Sequence, residues 1–218
     1  MQVEIWSDVV CPWCYIGKHR FEAALARFPH RDEVEVAWRS FQLNPRAPPR
    51  RDEPVVDLLA RKYGLSRDEA ERREAQVEAL AKEEGLLIRD DRVSANTFDA
   101  HRLLHLAADE GRQDALQERL FAAHFAEGEV VSDPGTLVRL AAEVGLEEDA
   151  VRRVLEGDAY AEAVEADAAE ARRLGAQGVP FFVLDRRVGV SGAQPADLFL
   201  RALERAWEDG GSPGGQGD

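Results

Sequence analysis

Hydrophobic and polar residues alternate at both ends of the chain, whereas apolar side chains spaced three or four residues apart fill the part between. The segment QVEIW alternates with the period of a short strand. From about Cys11 the pattern predicts an amphipathic helix that ends at Pro29. The apolar face of this helix contains Cys14, Gly17, Phe21, Leu25 and Phe28. The segment EVEVAWRSF then alternates again, which predicts a second strand.

The middle of the chain has a helical pattern throughout. It follows the segment LNPRAPPRRDEP (43–54), whose four prolines predict an irregular domain boundary. Ser66 and Glu69 form a capping box at the start of one predicted helix, and Asn96 or Thr97 caps another. The strand pattern returns at QGVPFFVLDRRVGVSGAQ, where a hairpin is predicted to turn at Asp185-Arg186, and the amphipathic helix PADLFLRALERAW follows.

The predicted order is therefore β-α-β, a helical block, and β-β-α. This order indicates one α/β core of the thioredoxin-like type, divided by a large all-helical insertion. We assign 1–45 and 176–208 to the thioredoxin-like domain and 46–175 to the insertion. The Gly-rich segment 209–218 is predicted to be a flexible tail.

The charge of the chain limits its partners. The net charge is −14, with 42 acidic and 28 basic residues, so the chain repels phosphate backbones and nucleic-acid binding is not expected. No segment approaches the roughly 20 apolar residues that cross a bilayer, so no membrane partner is expected. The N-terminal residues MQVEIWSDVV lack the features of a secretory signal, which predicts a cytoplasmic protein. The oligomeric state is left open.

Cys11 and Cys14 are the only cysteines, and they stand in the motif CPWC. In a reducing compartment such a pair is typical of catalysis or metal binding rather than of a structural disulfide. Cys11 is placed at the N-terminus of the predicted helix, where unpaired N–H groups and the helix dipole stabilise a thiolate. Cys14 lies one turn further on the apolar face. We therefore expect Cys11 to be the exposed attacking thiol and Cys14 to be the buried resolving thiol, with a higher pKa.

Three neighbours are predicted to shape this site. Pro12 suits the first helical turn because its missing N–H costs nothing there. Trp13 brings no positive charge, so the disulfide is expected to be less oxidising than that of a CPHC protein. A Val179-Pro180 pair that opens a strand is where thioredoxin-like proteins place a cis-proline, and Val179 would then offer its backbone to an extended substrate beside Cys11.

Six segments together resemble the FrnE-type branch of the DsbA-like thioredoxin superfamily. They occur in the family's order between about residues 3 and 207: SDVVCPWCYIG, FQLNP, NTFDAHRLLHLA, FAAHFAEGE, GVPFFV and SGAQ. The resemblance implies a thioredoxin domain with a helical insertion, and disulfide oxidoreductase or isomerase activity on protein or small thiols without a metal or other cofactor. It also implies that Cys11 is the nucleophile, Cys14 the resolving thiol and Pro180 the cis-proline.

The same superfamily leaves a second function open. It includes glutathione-dependent hydroxychromene-carboxylate isomerases and kappa-class glutathione transferases, which usually have a serine where Cys11 stands and bind glutathione there. Glutathione is therefore a possible co-substrate, although the presence of both cysteines favours redox chemistry. Some longer FrnE-type relatives carry a second CxxC, which this sequence lacks.

Metal binding and two further polar residues need separate consideration. Zinc requires four ligands, and His101 and His105 could add to the two cysteines, but a helix-opening CPWC is not a zinc knuckle. In the similar family NTFDAHRL lines the active-site side, so His101 is a candidate for the cleft over Cys11, against an ordinary surface or core histidine. Asp8 is a candidate for relaying the Cys11 proton, against a simple turn residue.

Overall fold

A computed structural model of the chain describes residues 1–48 and 50–210, with only the backbone at 50–52. The order of strands and helices at the two ends of the chain is the predicted one, β-α-β at the start and β-β-α at the end. The strands are β1 (Gln2–Ser7), β2 (Glu35–Ser40), β3 (Arg50–Pro54), β4 (Val93–Ala95), β5 (Phe181–Leu184) and β6 (Val188–Ser191). The helices are α1 (Pro12–Arg27), α2 (Val55–Tyr63), α3 (Arg67–Glu83), α4 (Phe98–Asp109), α5 (Gln113–Ala122), α6 (Pro134–Glu143), α7 (Glu148–Glu156), α8 (Ala161–Arg173) and α9 (Ala196–Gly210). A 3₁₀ turn (Arg31–Glu33) and a π-helical turn (Ala123–Glu127) complete them.

Four strands form the main sheet in the order β2-β1-β5-β6. β1 is parallel to β2 and antiparallel to β5, which pairs with β6 in a hairpin. That hairpin turns at Asp185 and Arg186, as predicted, and both residues have positive φ, which suits a tight two-residue turn. The two sequence-distant halves of the chain therefore share one sheet, and the predicted thioredoxin-like fold with a helical insertion is confirmed.

Each face of the main sheet is covered by helices. Val3 and Ile5 of β1 point to the face on which α1 and α9 pack, through Phe21 and Phe199. The opposite face carries an apolar cluster of Trp6, Phe181, Val183 and Ala171 of α8. The Trp6 indole N–H also donates to the Asp167 carbonyl oxygen of α8 at 2.8 Å. The insertion has its own core, contributed mainly by α4 to α7.

Two predicted features of the chain need correction. The segment 43–54 is not irregular throughout, because β3 (Arg50–Pro54) pairs with β4 (Val93–Ala95), so the insertion also contains a small antiparallel sheet. Pro54 is tolerated there because it is the last residue of its strand. The predicted tail at 209–218 begins too early, since α9 runs to Gly210; residues 211–218 lie outside the described ones.

The proposed domain division stays a prediction. The main-sheet strands, α1 and nearly all of α9 fall within 1–45 and 176–208, as assigned. However, α8 lies in the range assigned to the insertion, and its Ala171 belongs to the apolar cluster on the main sheet.

Candidate active site

The two cysteines open the first long helix of the chain. Cys11 is the N-cap residue of α1 with extended backbone (φ −94°, ψ 112°), and Pro12 occupies the first helical position. The N–H groups of Cys14 and Tyr15 both donate to the Cys11 carbonyl oxygen, at 3.0 and 3.3 Å. Both thiols are free, and the two cysteines are 3.5 Å apart. The arrangement puts Cys11 at the positive end of the α1 dipole.

The prediction that Cys11 is exposed is wrong. Its residue surface is 4% exposed, against 0% for Cys14. Residues of the insertion contribute to the burial of Cys11, because Cys11 shares an apolar cluster with Val77 of α3 and with Ile88, which follows α3. Trp13, at 40%, is the exposed residue of the motif. The Cys11 residue therefore has little contact with solvent.

The pKa of the Cys14 thiol is raised, as the sequence predicts. Burial raises the pKa of Cys14 well above its ordinary value, and a hydrogen bond and charge interaction with Cys11 raise it further. Interactions with the Asp8 backbone and the Ser7 side chain act in the opposite direction and are outweighed. At neutral pH Cys14 therefore keeps its proton while no disulfide is being resolved.

The Val179-Pro180 segment lies against Cys11. The peptide bond between Val179 and Pro180 is cis. The Cys11 thiol faces the Val179 carbonyl oxygen, with 3.8 Å between sulfur and oxygen. The Pro180 ring packs onto α1 at Gly17. The structure thus brings together Cys11, Cys14, Val179 and Pro180, although their roles stay predictions.

Asp8 and His101 are buried and do not line an open cleft. Each is 1% exposed, so the predicted position of His101 over Cys11 in a cleft is not found. The His101 Nε2 atom is 3.4 Å from Asp8 Oδ1. The Asp8 backbone carbonyl accepts a hydrogen bond from the Cys11 N–H at 3.0 Å, and its Oδ2 accepts one from the Leu43 N–H at 2.7 Å. Asp8 therefore serves as a turn residue and also contacts a histidine from the insertion.

The two helical histidines do not converge on the cysteines. His105 lies one turn after His101 on α4, but its Nε2 is 3.2 Å from Asp167 Oδ2 and 3.2 Å from the Ser40 hydroxyl. Within 1–48 and 50–210, no three His, Cys, Asp or Glu side chains are grouped as metal ligands would be.

Several buried polar residues near the site were not singled out in the sequence. Ser7, the last residue of β1, acts on the Cys14 thiol. Lys18 of α1 is 3% exposed, and its Nζ lies 3.0 Å from Glu118 Oε2 of α5. Burial acts to raise the pKa of Glu118, but hydrogen bonds and charges from His19 and Lys18 outweigh it and lower that pKa to about 2. In the sequence, the only sign of the Lys18–Glu118 ion pair was a lysine placed directly after Gly17 of the apolar face.

None of the helices described here is both long and apolar enough to cross a membrane.

Comparisons with known proteins agree with this architecture. A protein from Streptomyces coelicolor described as a "probable DsbA oxidoreductase" is 51% identical, with a TM-score of 0.93 over 100% of this chain and 94% of that one. A 2-hydroxychromene-2-carboxylate isomerase is 15% identical, with a TM-score of 0.74 over 96% of this chain and 98% of that one. The cytosolic disulfide reductase DsbM from Pseudomonas aeruginosa is 20% identical, with a TM-score of 0.65 over 95% of this chain and 99% of that one.

The two more distant structures share the fold, whereas a family model matches the sequence itself. The model of the DSBA-like thioredoxin domain matches residues 2–204, which include both cysteines, the Val179-Pro180 segment and the whole insertion. The chain therefore belongs to the family of DSBA-like thioredoxin domains.

Proposed function

We propose that this protein is a thiol–disulfide oxidoreductase that uses Cys11 and Cys14 as its redox pair. The observation that carries the proposal is the position of Cys11, which caps α1, lies 3.5 Å from Cys14 and faces the carbonyl of Val179. The thiolate of Cys11 attacks one sulfur of a substrate disulfide, and the other sulfur leaves as a thiolate that takes up a proton. Cys14 then attacks Cys11, which oxidises the pair and releases the second substrate thiol.

The surroundings of Cys11 support an extended substrate with a small or flexible thiol. Cys11 retains 4% exposure, so a substrate sulfur must reach it through this small exposed area. Pro12, Trp13 and Val179 are the residues we expect the substrate to contact. Pro180 follows Val179 and packs on α1 at Gly17. Protein thiols and small thiols both fit this description, and glutathione is a candidate co-substrate. No resident cofactor or metal, nucleic acid or membrane takes part in the proposed reaction.

We further propose that the protein acts in the cytoplasm. DsbM, which shares the fold, is described as a cytosolic disulfide reductase. In such a compartment the pair is kept reduced and disulfide reduction is the favoured direction.

A glutathione-dependent isomerase or transferase is the second candidate. The observation in its favour is the shared fold with a 2-hydroxychromene-2-carboxylate isomerase. In that case Cys11 would hold glutathione without forming a disulfide with Cys14. Two cysteines at 3.5 Å separation favour the redox function.

Two assays with three proteins separate these functions. Wild type, Cys11→Ser and Cys14→Ser are tested for insulin reduction with a thiol donor, and for glutathione-dependent isomerisation of a hydroxychromene carboxylate. For an oxidoreductase we expect insulin reduction by the wild type, its loss in Cys11→Ser, and no isomerisation. Isomerisation that persists in Cys14→Ser, without insulin reduction by the wild type, would contradict the redox proposal.

A further inference from the structure

Helix α3 and the turn after it contribute to the apolar cluster that contains both cysteines. The buried residues of α3 form a single stripe with a spacing of three or four residues: Ala70, Glu74, Val77 and Ala81. The helix ends in a Schellman motif, in which Gly85 has a φ of 77° and the Leu86 N–H donates to the Ala81 carbonyl oxygen at 2.9 Å. This turn brings Leu86 and Ile88 into the cluster of Cys11. We call α3 together with residues 84–88 the lid.

The lid buries little apolar surface. Of the four buried residues of α3, two are alanines and one is a glutamate. Helix α2, which packs on α3, has no buried residue of its own. Because burial stabilises in proportion to the apolar area removed from water, apolar contacts hold the lid weakly. Individual polar contacts of the lid therefore have a large effect on whether it stays over the cysteines.

One ion pair joins the end of the lid to the helix that carries the cysteines. Arg20 of α1 donates from Nε to Oε1 of Glu84, the C-cap residue of α3, at 2.5 Å. The two side chains are only 15% and 24% exposed. Their attraction is therefore less screened by water than that of a pair on the open surface.

Arg20 also holds the segment that faces Cys11. Its Nη1 donates to the carbonyl oxygen of Ala193, in the turn after β6, at 2.9 Å. Ala193 and Val179 both pack against the cluster of the cysteines. A Cβ atom at Gly17 would be 3.5 Å from the Ala193 Cα, so this turn rests on α1. A single arginine thus connects α1, the lid and the C-terminal half of the sheet.

The lid has an anchor that does not involve Arg20. The Arg89 N–H, directly after the lid, donates to the Phe125 carbonyl oxygen at 2.9 Å. The Arg92 guanidinium lies 5.2 Å from the centre of the Phe125 ring and forms an ion pair with Glu74 of α3. Loss of the Arg20–Glu84 pair should therefore release one side of the lid while the other side stays attached.

The closed lid limits what can reach Cys11. A substrate sulfur must come within about 3–3.5 Å of the Cys11 sulfur to react. The Cys11 residue is only 4% exposed, and Val77, Leu86 and Ile88 of the lid share its apolar cluster. A disulfide within a polypeptide brings backbone and neighbouring side chains with it, whereas a low-molecular-weight disulfide does not. The closed arrangement therefore favours the smaller substrate.

We propose that Arg20 and Glu84 latch the lid over the cysteines and thereby determine the size of disulfide that Cys11 accepts. With the latch closed, Cys11 reacts with low-molecular-weight disulfides; a disulfide within a polypeptide is accepted only while the lid is displaced. Its rate of reaction is then reduced in proportion to the fraction of molecules with an open lid. The proposal rests on the thiol–disulfide exchange proposed above. Arg20 and Glu84 are positioning residues, since they act through α3.

Labelling of Cys11 with two maleimides of different size tests the latch. N-ethylmaleimide is the small reagent, and fluorescein maleimide carries a bulky ring system on the same reactive group. A change in the thiolate fraction of Cys11 alters both rates equally, so the ratio of the large to the small reagent reports size alone. Mass spectrometry locates the label at Cys11 in the wild type and in each variant.

We expect Arg20→Gln and Glu84→Gln to raise this ratio by about 5–10-fold, because loss of the ion pair increases the open fraction of the lid. Arg20→Lys keeps the charge and should stay within about 3-fold of the wild type. Arg27→Gln is the matched control, since it makes the same change at an exposed pair between α1 and Asp197 of α9. A wild-type ratio in both Arg20→Gln and Glu84→Gln would overturn the latch.

A measurement on the wild type alone guards against variants that do not fold. The urea-unfolded chain has no lid, so its labelling ratio serves as the reference. We expect the folded wild type to disfavour the large reagent by at least about tenfold relative to this reference. Equal ratios in the folded and the unfolded protein would overturn the proposal.

Reduction assays connect the latch to substrate size. With a thiol donor, both latch variants should gain insulin reduction relative to hydroxyethyl disulfide reduction, by about the factor seen in labelling. A gain in labelling without this gain would overturn the role in substrate selection. A wild type that reduces neither disulfide would instead overturn the redox function, and because labelling needs no redox reaction, the two failures are distinguishable.

Discussion

The Pro180 ring lies so close to the Gly17 backbone that a Cβ atom at Gly17 would be 2.9 Å from Pro180 Cγ. The same Cβ would be 3.5 Å from the Cα and Cβ of Ala193. Gly17 is therefore present in the middle of α1 because no other residue leaves room for the segment that faces Cys11. This contact connects the helix that carries the cysteines to the strand hairpin of the C-terminal half.

Gly17→Ala should destabilise the protein although alanine favours helices by about 1 kcal/mol. The overlap with Pro180 should cost more than that gain, with a net loss of about 1–2 kcal/mol in the free energy of unfolding measured in urea. The displaced Pro180 should also slow the attack of Cys11. Gly178→Ala is the control, because a Cβ there meets nothing within 4 Å. Equal stability of the two variants would show that Pro180 yields without cost.

Limiting alkylation of the reduced protein should modify Cys11 before Cys14. Cys14 is fully buried and its pKa is raised well above the ordinary value, so little thiolate is present at neutral pH. Mass spectrometry of the peptides should give a rate at Cys11 at least about tenfold higher near neutral pH. The difference should shrink as the pH rises. Comparable rates at neutral pH would contradict the assignment of Cys14 as the resolving thiol.

His124 should make the folded protein sensitive to mild acid. Its folded pKa is about 3 because of burial and the charge of Arg92, whereas its ordinary value is 6.5. Between these values the unfolded chain binds a proton that the folded chain does not, so stability falls as the pH drops from about 6.5 towards 3. At about pH 4.5 the loss relative to neutral pH should be roughly 3 kcal/mol.

His124→Gln should reduce this loss, which urea unfolding at several pH values measures. The useful range lies above about pH 4.5, because Glu118, with its pKa lowered to about 2, stabilises the fold fully above its ordinary value of 4.5 and loses that effect only below it. An unchanged slope in His124→Gln would mean that this histidine is protonated in the folded protein.

Gln113→Ala should weaken the edge of the main sheet. The Gln113 side chain accepts a hydrogen bond from the Trp38 N–H at 3.0 Å and donates one to the Trp38 carbonyl at 2.9 Å. β2 is an edge strand of the main sheet, and the Gln113 side chain forms the hydrogen bonds that a further strand would otherwise form there. Loss of both bonds should lower the free energy of unfolding by about 1–2 kcal/mol. Gln76→Ala, on an exposed face of α3, should cost less than about half of that.

Local periodicity was sufficient for the elements that build the main sheet. The strand of Val3 and Ile5, the helix that begins after Cys11 and the hairpin at Asp185-Arg186 all have patterns that a short window reveals. The capping box of Ser66 and Glu69 and the buried, weakly acidic Cys14 likewise depend on near neighbours in the sequence. Each of these features was predicted because the residues that cause it are close together in the sequence.

Features that depend on distant packing were not predicted. Cys11 is nearly buried because Val77 and Ile88 of the insertion share its apolar cluster, and nothing in CPWC indicates that. The 3.4 Å approach of His101 to Asp8 joins two segments whose contact no local pattern reveals. The pairing of β3 with β4 was hidden by the prolines before it, which indicate irregular backbone when taken alone.

The Val179 carbonyl that faces Cys11 comes from 168 residues later in the chain. Ribosomes add about 5–20 residues per second, so both thiols are synthesised on the order of ten seconds before the segment that closes over them. During translation the nascent polypeptide thus presents two unshielded sulfurs to every small disulfide in its surroundings. Premature capping of either sulfur would have to be reversed before the finished protein could begin to turn over.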